Sequence, residues 1–487
     1  MTVAAMTAIA EFPVLALRPE RFEQFVSEPG DWKALVEATG RIRQMLEGRA
    51  VWLISSRSRS GGLAELLQSQ VAYARGAGVD ARRAAICASD DFVRLAKRLD
   101  DDLQGEARDR GEYGEAERRM YEETLGRATG NLTQRLGEGD IVVLHDAVAA
   151  GMIPAIKDAG AVAIWRCRAG TDTPSGPTES ARRFLAAYVR RADACVFARR
   201  EFVWEGLDDR ARAIPPSLSP LSPKNQELSA SAVAAILAVT GVQPGSPLDE
   251  AVFIRVDGSP GRVDRRLEVV QTEPLEAGTD VILQVSQWNR RKDPPGLLDW
   301  FAHHVAPRGA AHLLLAGPAP LEISDEPEAA AVLEESLARL RGLPAEIRAR
   351  VHLATIPADD PEEGAAVVNA LQRRSAITVQ KSRGEGLGMT VLESMWKARP
   401  VVCSRVGALR DHVLDGVTGF LRNPRDLDGL AEATLQLLED PALREKMGAA
   451  GRERVRRQFL MPRELADWAA LIEQLAKPPR VYRNGKR

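Results

Sequence analysis

The chain has 487 residues, more than one hydrophobic core usually organises, so two or more domains are predicted. Basic and acidic residues nearly cancel, and a formal net charge of −2 gives no overall electrostatic reason to bind nucleic acid. The 4 cysteines have no paired spacing, which argues against a zinc site and a disulfide framework.

The N-terminal segment is apolar in places but does not resemble a secretory signal. It lacks a basic start and is interrupted by Glu11, Pro13 and Arg18. No apolar run reaches the roughly 18 residues that a membrane-spanning helix requires. We therefore predict a cytoplasmic protein with no membrane span.

Short apolar runs alternate with longer helical patterns along most of the chain. Their hydrophobicity is continuous, which is typical of strands buried on both faces of a parallel sheet. Helices between such strands imply right-handed crossovers, so two series of runs predict two doubly wound α/β halves. The first series lies at 50–56, 81–88, 140–146, 161–167 and 192–198, and the second at 280–286, 311–317, 350–356, 376–382 and 399–405.

A proline-rich segment at 214–225 separates the two series. Proline fits neither a central strand nor a helix interior, so this segment is predicted to be the hinge. We predict an N-terminal Rossmann-like domain over 1–225, a C-terminal one over 226–458, and a helix and tail over 459–487 that cross back to the N-terminal domain. Because ligands of open parallel sheets bind beyond the carboxyl ends of the strands, a central cleft is expected between the domains.

Two strand-to-helix junctions have the composition of anion-binding loops. Gly61 and Gly62 precede a helix, where exposed N–H groups could approach a ligand or could simply form a turn. Residues 290–292, Arg-Arg-Lys, follow a strand in the second half. Such cations suit a diphosphate, although a solvated basic loop would have the same composition.

A third junction, RGEGLGMTVLESMW at 383–396, holds two glutamates around a glycine-rich turn. Exposed N–H groups at the turn are suited to phosphate or sugar oxygens, and carboxylates accept hydrogen bonds from pairs of hydroxyl groups. In the alternative interpretation, Glu385 caps the helix and Glu393 is solvated.

Together these segments resemble retaining glycosyltransferases of the GT-B fold, in the large nucleotide-sugar family 4 that includes trehalose glycosyltransferring synthases and trehalose phosphorylases. The resemblance implies an α/β fold of two Rossmann-like domains, the first binding the acceptor and the second the nucleotide sugar. The matching stretches are SGGLAELLQS, VVLHD, AIWRC, IPPSLSPLSPKN, ILQVSQWNRRKDPPG and VNALQRRSAITVQKSRGEGLGMTVLESMWKARPVVCSRVGALRDHVLDGVTGFL.

The resemblance also implies roles for individual residues. Glu385 would contact hydroxyls of the donor sugar, Glu393 those of the ribose, and Lys292 the diphosphate. With His145, at the cleft end of a predicted strand, Glu385 and Lys292 form the predicted catalytic set. The implied nucleotide-sugar site comprises Gly61, Gly62, Gln287, Arg291, Lys292, Thr355, Ile356, Gly386, Leu387, Gly388, Met389 and Glu393. No metal or cofactor is expected beyond the donor, for which a guanosine diphosphate sugar is favoured.

Three departures from the family pattern bear on the acceptor and the diphosphate. Gln287 stands where the family usually has arginine, residues 167–170 read Cys-Arg-Ala-Gly where the trehalose relatives have Cys-His-Ile-Asp, and residues 145–148 read His-Asp-Ala-Val where a related run is His-Asp-Pro-Gln. Sites for sugars depend on such polar groups for discrimination. We therefore predict an acceptor other than plain glucose, bound by Arg168, His145 and Asp146. Arg168 would meet an acceptor carboxylate, or else form a salt bridge.

The resulting prediction is a retaining, metal-independent glycosyltransferase acting on a nucleotide diphosphate sugar and a small-molecule acceptor, in specialised (antibiotic) metabolism. A thiol or thione such as ergothioneine is one candidate acceptor, because sulfur acids ionise near neutral pH and need little help from a base. The alternatives are trehalose synthase, using nucleotide diphosphate glucose and glucose, and a non-catalytic protein that binds a nucleotide sugar. Nucleic acid and membrane are not expected as partners, and a homodimer is one expected assembly.

Overall fold

The computed structural model describes residues 8–26, 28–56, 62–105, 111–245, 250–320 and 328–476. The chain forms two α/β domains, each built around a seven-stranded sheet. The prediction of two doubly wound, Rossmann-like domains is confirmed.

The sheet of the first domain has the strand order β1-β3-β2-β4-β5-β6-β7. Neighbouring strands run parallel except at one edge, where β1 pairs antiparallel with β3. The central strands β2 and β4 are buried along their whole length, as expected where helices cover both faces. The strands are β1 (Ile9–Phe12), β2 (Ala50–Ser55), β3 (Asp80–Ile86), β4 (Ile141–His145), β5 (Val162–Cys167), β6 (Ala194–Phe197) and β7 (Ala211–Ala213).

Helices connect these strands and cover the sheet. They are α1 (Pro29–Met45), α2 (Gly62–Gly76), α3 (Asp90–Leu103), α4 (Glu115–Thr133), α5 (Ile153–Asp158) and α6 (Gly176–Val189). Short 3-10 helices lie at Pro19–Phe25, Ala147–Met152 and Arg200–Phe202. The Ser89 hydroxyl accepts the N–H of Phe92 at the start of α3, which caps a helix whose other end reaches the space between the domains.

The sheet of the second domain has the order β10-β13-β12-β11-β14-β15-β16, again with an antiparallel edge, β10 on β13. A short hairpin, β8 (Val252–Ile254) with β9 (Pro260–Arg262), precedes it. The strands of the sheet are β10 (Glu268–Val270), β11 (Val281–Val285), β12 (His312–Pro318), β13 (Val351–Ile356), β14 (Ile377–Gln380), β15 (Val401–Ser404) and β16 (Gly419–Arg422).

The helices of this half include those that carry the junction loops. They are α7 (Ala230–Thr240), α8 (Pro294–Trp300), α9 (Ala329–Gly342), α10 (Ala345–Arg348), α11 (Pro361–Arg374), α12 (Met389–Trp396), α13 (Leu409–His412), α14 (Leu427–Glu439) and α15 (Pro441–Gln458), with a π turn at Phe301–Val305 and a 3-10 turn at Ala306–Arg308. Within the described residues, no helix combines the length with the apolarity that a membrane span requires.

The last helix, α16 (Met461–Leu475), returns to the first domain. Trp468 and Ile472 share a buried cluster with Ile42 of α1. Beside them, Arg166 of β5 forms an ion pair with Glu464 at 2.9 Å, and both side chains are almost completely buried. The apolar cluster and the ion pair attach α16 to the sheet that precedes the hinge.

The predicted strands coincide with β2 to β6 and β11 to β15, the ten central strands of the two sheets. The four edge strands β1, β7, β10 and β16 were not predicted. Edge strands are short and have one unpaired side, so they lack the continuous apolar run that identifies a central strand.

Candidate active site

A cleft of about 340 Å³ lies between the domains, beyond the carboxyl ends of the parallel strands. The loops that follow β11 and β14 contribute one wall, and α3 and the end of β5 contribute the other. The predicted residues in its lining are Arg168, Gln287, Arg291, Lys292, Ile356, Glu385, Gly386, Leu387, Gly388, Met389 and Glu393. The structure therefore brings together most of the residues that the sequence assigned to the nucleotide sugar.

Glu385 and Lys292 form an ion pair at the centre of this cleft. They lie close together because β11 and β14 are adjacent and parallel, so that the loops after the two strands leave the sheet side by side. The second carboxylate oxygen of Glu385 accepts the N–H of Gly388 at 3.2 Å, and Ser382 Oγ donates to the first at 3.3 Å. Glu385 is 6% exposed, so its carboxylate is held in one place by groups of its own loop.

The glycines of this loop permit close packing as well as an open backbone. A Cβ atom on Gly386 would lie 2.7 Å from the carbonyl oxygen of Arg168 in the other domain. Gly388 has φ of 62° as it begins α12, a conformation that favours glycine. On a neighbouring turn, a Cβ on Gly407 would lie 1.9 Å from the carbonyl oxygen of Glu385. The backbone around Glu385 therefore fits only with glycine at these contacts.

Glu393 lies buried in α12, where Gln372 donates to it at 3.1 Å. Lys224, the penultimate residue of the proline-rich segment, has its Nζ 3.9 Å from Glu393 and 2.8 Å from Glu65 of α2. Burial opposes the charge of Lys224, but the two carboxylates outweigh it and raise its pKa. Below them, burial lowers the pKa of Lys397 to about 7. Lys224 therefore connects the hinge with α2 of the first domain and α12 of the second. No motif in the sequence indicated this role.

Of the three cations at 290–292, Arg291 and Lys292 line the cleft. Arg291 is 8% exposed and its Nη1 lies 3.4 Å from Asp100, at the end of α3 in the other domain. Gln104 also donates to Asp100, at 2.8 Å. Arg290 points away and pairs with Glu335 on the surface at 3.0 Å. Asp100 and Gln104 are cleft residues that the sequence did not identify, because nothing in a run of helical acids reveals which of them faces a second domain.

Arg168 and Asp146 meet at the first-domain side of the cleft, where they form an ion pair. Their strands, β4 and β5, are parallel neighbours, so the residues that follow them lie side by side. Asp146 has φ of 77°, and its carboxylate also accepts a hydrogen bond from Ser56 Oγ at 2.8 Å. Of the two roles considered for Arg168, the structure therefore has the salt bridge.

His145 was expected in the cleft because it ends a strand, but it lies elsewhere. Its ring is 1% exposed and lines an apolar cavity on the other side of the sheet, with its centroid 6.5 Å from that of Trp468. Burial, followed by the charges of nearby arginines, lowers the pKa of His145 well below its ordinary value. The structure does not bring this histidine together with Glu385 and Lys292.

Two of the three remaining predicted residues, Thr355 and Gly62, fall within the described residues. Thr355 is buried on β13, and its hydroxyl donates to the carbonyl oxygen of Glu268 at 3.4 Å. Gly62 is the first residue of α2. Gly61 lies outside the described residues. Within the described residues there is no group of three or more His, Cys, Asp or Glu side chains arranged to hold a metal ion.

Comparisons with known proteins agree with this architecture. A family model described as "Trehalose synthase, N-terminal domain" matches residues 53–204, and one described as "Glycosyl transferases group 1" matches residues 267–454. The trehalose synthase of Rubrobacter xylanophilus is 31% identical over 91% of this chain and 93% of its own. That of Pyrococcus horikoshii is 28% identical over 91% of this chain and 96% of its own. This chain belongs to the trehalose synthase group of glycosyltransferases.

Solved structures of glycosyltransferases share the fold at lower sequence identity. Sucrose-phosphate synthase from Thermosynechococcus elongatus has a TM-score of 0.62 at 17% identity and covers 88% of this chain and 99% of its own. A UDP-forming alpha,alpha-trehalose-phosphate synthase from Burkholderia xenovorans, in complex with glucose-6-phosphate, has a TM-score of 0.63 at 15% identity and covers 88% of this chain and 100% of its own. The expected GT-B fold, with two Rossmann-like domains facing a cleft, is confirmed.

The predicted acceptor was wrong. An antibiotic S-glycosyltransferase was inferred from missing polar residues near Arg168, but the relatives that match this glycosyltransferase over nearly their full length are named trehalose synthase. The inference assumed that Arg168 would pair with a carboxylate of the acceptor, whereas Asp146 already neutralises its charge. The inference also considered only the polar residues missing from 145–148 and 167–170. Asp100 and Gln104 bring other polar groups to the cleft from α3.

Proposed function

We propose that this glycosyltransferase is a trehalose synthase, which transfers a glucosyl group from a nucleotide diphosphate glucose to glucose with retention of anomeric configuration. The observation that carries the proposal is the match, across nearly the whole of both chains, to several proteins named trehalose synthase. The first-domain match, to a family model described as a trehalose synthase domain, covers the half of the molecule that would bind the acceptor.

On the donor side, the proposed roles follow from charge and position. Lys292 and Arg291 would bind the diphosphate, since both line the cleft and a cation stabilises the negative charge that develops on a departing phosphate. The Glu385 carboxylate would accept hydrogen bonds from glucosyl hydroxyls, and Glu393 would accept them from the ribose. A diphosphate that enters the site would replace the Glu385 carboxylate as the partner of Lys292.

The reaction needs no group beyond the substrates and these side chains. The bond between the anomeric carbon and the diphosphate oxygen breaks, and the acceptor hydroxyl oxygen forms the new glycosidic bond on the same face. The proton of that hydroxyl passes to the departing phosphate oxygen. Catalysis would then depend on holding the acceptor hydroxyl on the face of the glucosyl ring that the diphosphate leaves and on stabilising the phosphate charge, with a metal-independent mechanism proposed.

On the acceptor side, the cleft offers polar groups in place of the family residues that are missing. Asp100 and Gln104 line it from α3, and Arg168 lines it from the end of β5. A carboxylate, an amide and a guanidinium together supply acceptors and donors for the hydroxyls of a glucose molecule. We therefore propose that these residues bind the acceptor glucose.

Incubation of the purified chain with glucose and each of four glucose donors, those of guanosine, uridine, adenosine and thymidine diphosphate, tests this function. We expect trehalose and the free nucleotide diphosphate to appear together, with the guanosine donor preferred, and proton NMR of the product reports the anomeric configuration. If a nucleotide diphosphate raises the unfolding temperature but no donor gives trehalose, the donor site stands and the acceptor proposal fails.

Two further properties are proposed, a location and an assembly. A cytoplasmic location is supported by the four cysteines, which are all free thiols. A homodimer is the proposed assembly, and light scattering coupled to size exclusion measures it directly.

A further inference from the structure

A second cavity lies in the first domain, on the side of the sheet that α16 covers. It has a volume of about 100 Å³ and is lined by residues of β2 to β4 and of helices α1, α2 and α16, with Pro19 from the first 3-10 helix. We call it the back cavity. Its walls are mostly aliphatic, with Leu35, Ile42, Leu53, Val143 and Ile472 among them. It shares no lining residue with the cleft between the domains.

The lining includes the polar side chains of Thr39, Gln70, Tyr73, His145 and Trp468, and the hydroxyl groups of Thr39 and Tyr73 are hydrogen-bonded within the protein. Gln70 of α2 is 5% exposed, His145 of β4 is 1% exposed and Trp468 of α16 is 9% exposed. Across the described part of the chain, both amide atoms of Gln70, both ring nitrogens of His145 and the indole nitrogen of Trp468 lack a hydrogen-bond partner. These three residues come from three different elements and converge on one cavity.

Buried polar atoms without partners lower the stability of the folded chain unless a molecule in the cavity supplies their hydrogen bonds. A buried polar group left without a hydrogen bond destabilises the folded state, and native proteins contain few of them. Replacing Gln70 with leucine would have removed that cost without changing the size of the side chain. A ligand with one hydroxyl group, which donates once and accepts up to twice, would satisfy up to three of these five atoms, while its apolar part would fill the aliphatic remainder.

The balance of the lining indicates the chemical class of that ligand. A sugar or a nucleotide carries many polar groups and would leave most of them facing aliphatic walls, at a cost for each. A charged molecule would also be disfavoured, because Arg166 nearby is already neutralised by Glu464. A hydroxyl group both donates and accepts, which matches an amide, an imidazole and an indole N–H. As to size, an engineered apolar cavity of about 150 Å³ in another protein binds benzene, so the back cavity suits a slightly smaller body.

We propose that the back cavity is a second binding site, which takes a small neutral alcohol with an aliphatic body of about five carbons. The hydroxyl group is held by Gln70, His145 and Trp468. The site is distinct from the cleft in position and in chemistry, and the proposal does not depend on which sugars the cleft binds.

Saturation-transfer NMR of the full chain with cyclopentanol and with cyclopentane tests the proposal, because the two probes differ by one hydroxyl group. We expect both to bind, and cyclopentanol to bind about fivefold to tenfold more tightly, as one added buried hydrogen bond predicts. Saturating guanosine diphosphate, which should occupy the cleft, is expected to leave the cyclopentanol signal unchanged. Equal affinities for the two probes, or displacement of cyclopentanol by the nucleotide, would overturn the proposal.

Two variants separate the cavity from its polar groups. Ala469→Leu places extra carbon atoms in the lining and should reduce binding of both probes more than about tenfold, since the cavity is filled. Gln70→Leu keeps the size of the side chain and should remove the preference for cyclopentanol while cyclopentane still binds. An Ala469→Leu protein that binds both probes like the parent chain would contradict the assignment.

Crystals of the unaltered chain soaked in cyclopentanol give a readout that does not depend on the folding of a variant. The expected result is density for the ring in the back cavity, with its oxygen within hydrogen-bond distance of Gln70 or His145. Ordered water alone in the cavity at a saturating alcohol concentration would show that the polar atoms serve hydration, and the proposal would be wrong.

Discussion

The guanidinium group of Arg199 donates a hydrogen bond to the carbonyl oxygen of Gly407 at 2.8 Å, which joins the two domains beside the active site. Arg199 is 5% exposed and also pairs with Asp172 and Asp411, each at 2.7 Å. Asp172 in turn accepts the N–H of Gly407 at 2.9 Å. The turn that Arg199 holds is the one whose Ala408 N–H donates to the carbonyl oxygen of Glu385 at 3.0 Å.

Arg199→Leu should therefore disturb the position of Glu385 from the opposite domain. We expect kcat/KM to fall about tenfold to a hundredfold, since small displacements of a positioned group are costly. The unfolding free energy should fall by about 3 kcal/mol, because two carboxylates lose a buried partner. Steady-state kinetics and thermal unfolding measure the two effects. Arg457→Leu, which removes an exposed arginine paired with Glu453 on α15, is the matched control and should change neither.

Arg291 and Arg290 are adjacent in the chain but differ in position, which makes them a matched pair. Arg291→Gln should lower kcat/KM about a hundredfold, because it removes a cation from the cleft wall where the diphosphate is proposed to bind. Arg290→Gln should remain within about twofold of the parent, because its surface pair with Glu335 is worth little. Nucleotide-induced thermal shifts should follow the same order. Equal losses in the two variants would place the diphosphate elsewhere.

Glu385→Gln tests the charge at the centre of the cleft while conserving shape. The variant retains an oxygen for the N–H of Gly388 but loses the carboxylate that pairs with Lys292 and would bind sugar hydroxyls. We expect kcat to fall by about 10²–10³, with the thermal shift by nucleotide diphosphate preserved. Glu453→Gln on the surface of α15 serves as control. Full activity in Glu385→Gln would remove this residue from the reaction.

Two buried histidines predict that the protein loses stability in mild acid. Burial lowers the pKa of His412 to about 3 and that of His352 to about 4, against an ordinary value of 6.5. The unfolded chain therefore binds more protons than the folded chain once the pH falls below about 6.5. The unfolding free energy should decrease from there towards pH 4, by up to about 1.4 kcal/mol per pH unit for each ring.

His412→Gln should flatten this dependence by about one proton, because glutamine does not titrate. Denaturant unfolding at several pH values between 7 and 5 measures the slope. His303→Gln, a change at an exposed histidine, is the control and should leave the slope of the parent chain. A His412→Gln slope equal to that of the parent would mean that His412 is protonated in the folded state.

The sequence was most informative where a loop of characteristic composition directly follows a predicted strand. Glu385 and Lys292 were assigned to one site from the resemblance of their loops to those of a known family, and the adjacent parallel strands β11 and β14 bring them into contact. The two loops lie side by side because the carboxyl ends of parallel strands lie at the same edge of the sheet. His145 does not join them, since successive side chains at a strand end point to opposite faces, and the adjacent residues His145 and Asp146 lie in the back cavity and beside the cleft, respectively.

The sequence by itself determined the central strands, the crossover helices and the loops that supply Lys292, Glu385 and Glu393, because these depend on local hydrophobic pattern and on residue type. Only the tertiary structure decided that Arg168 is neutralised by Asp146, that Arg290 pairs with Glu335, and that Asp100, Gln104 and Lys224 join the site. These contacts depend on which residues lie opposite each other in the folded chain. Such contacts join residues far apart in sequence, so no local pattern encodes them.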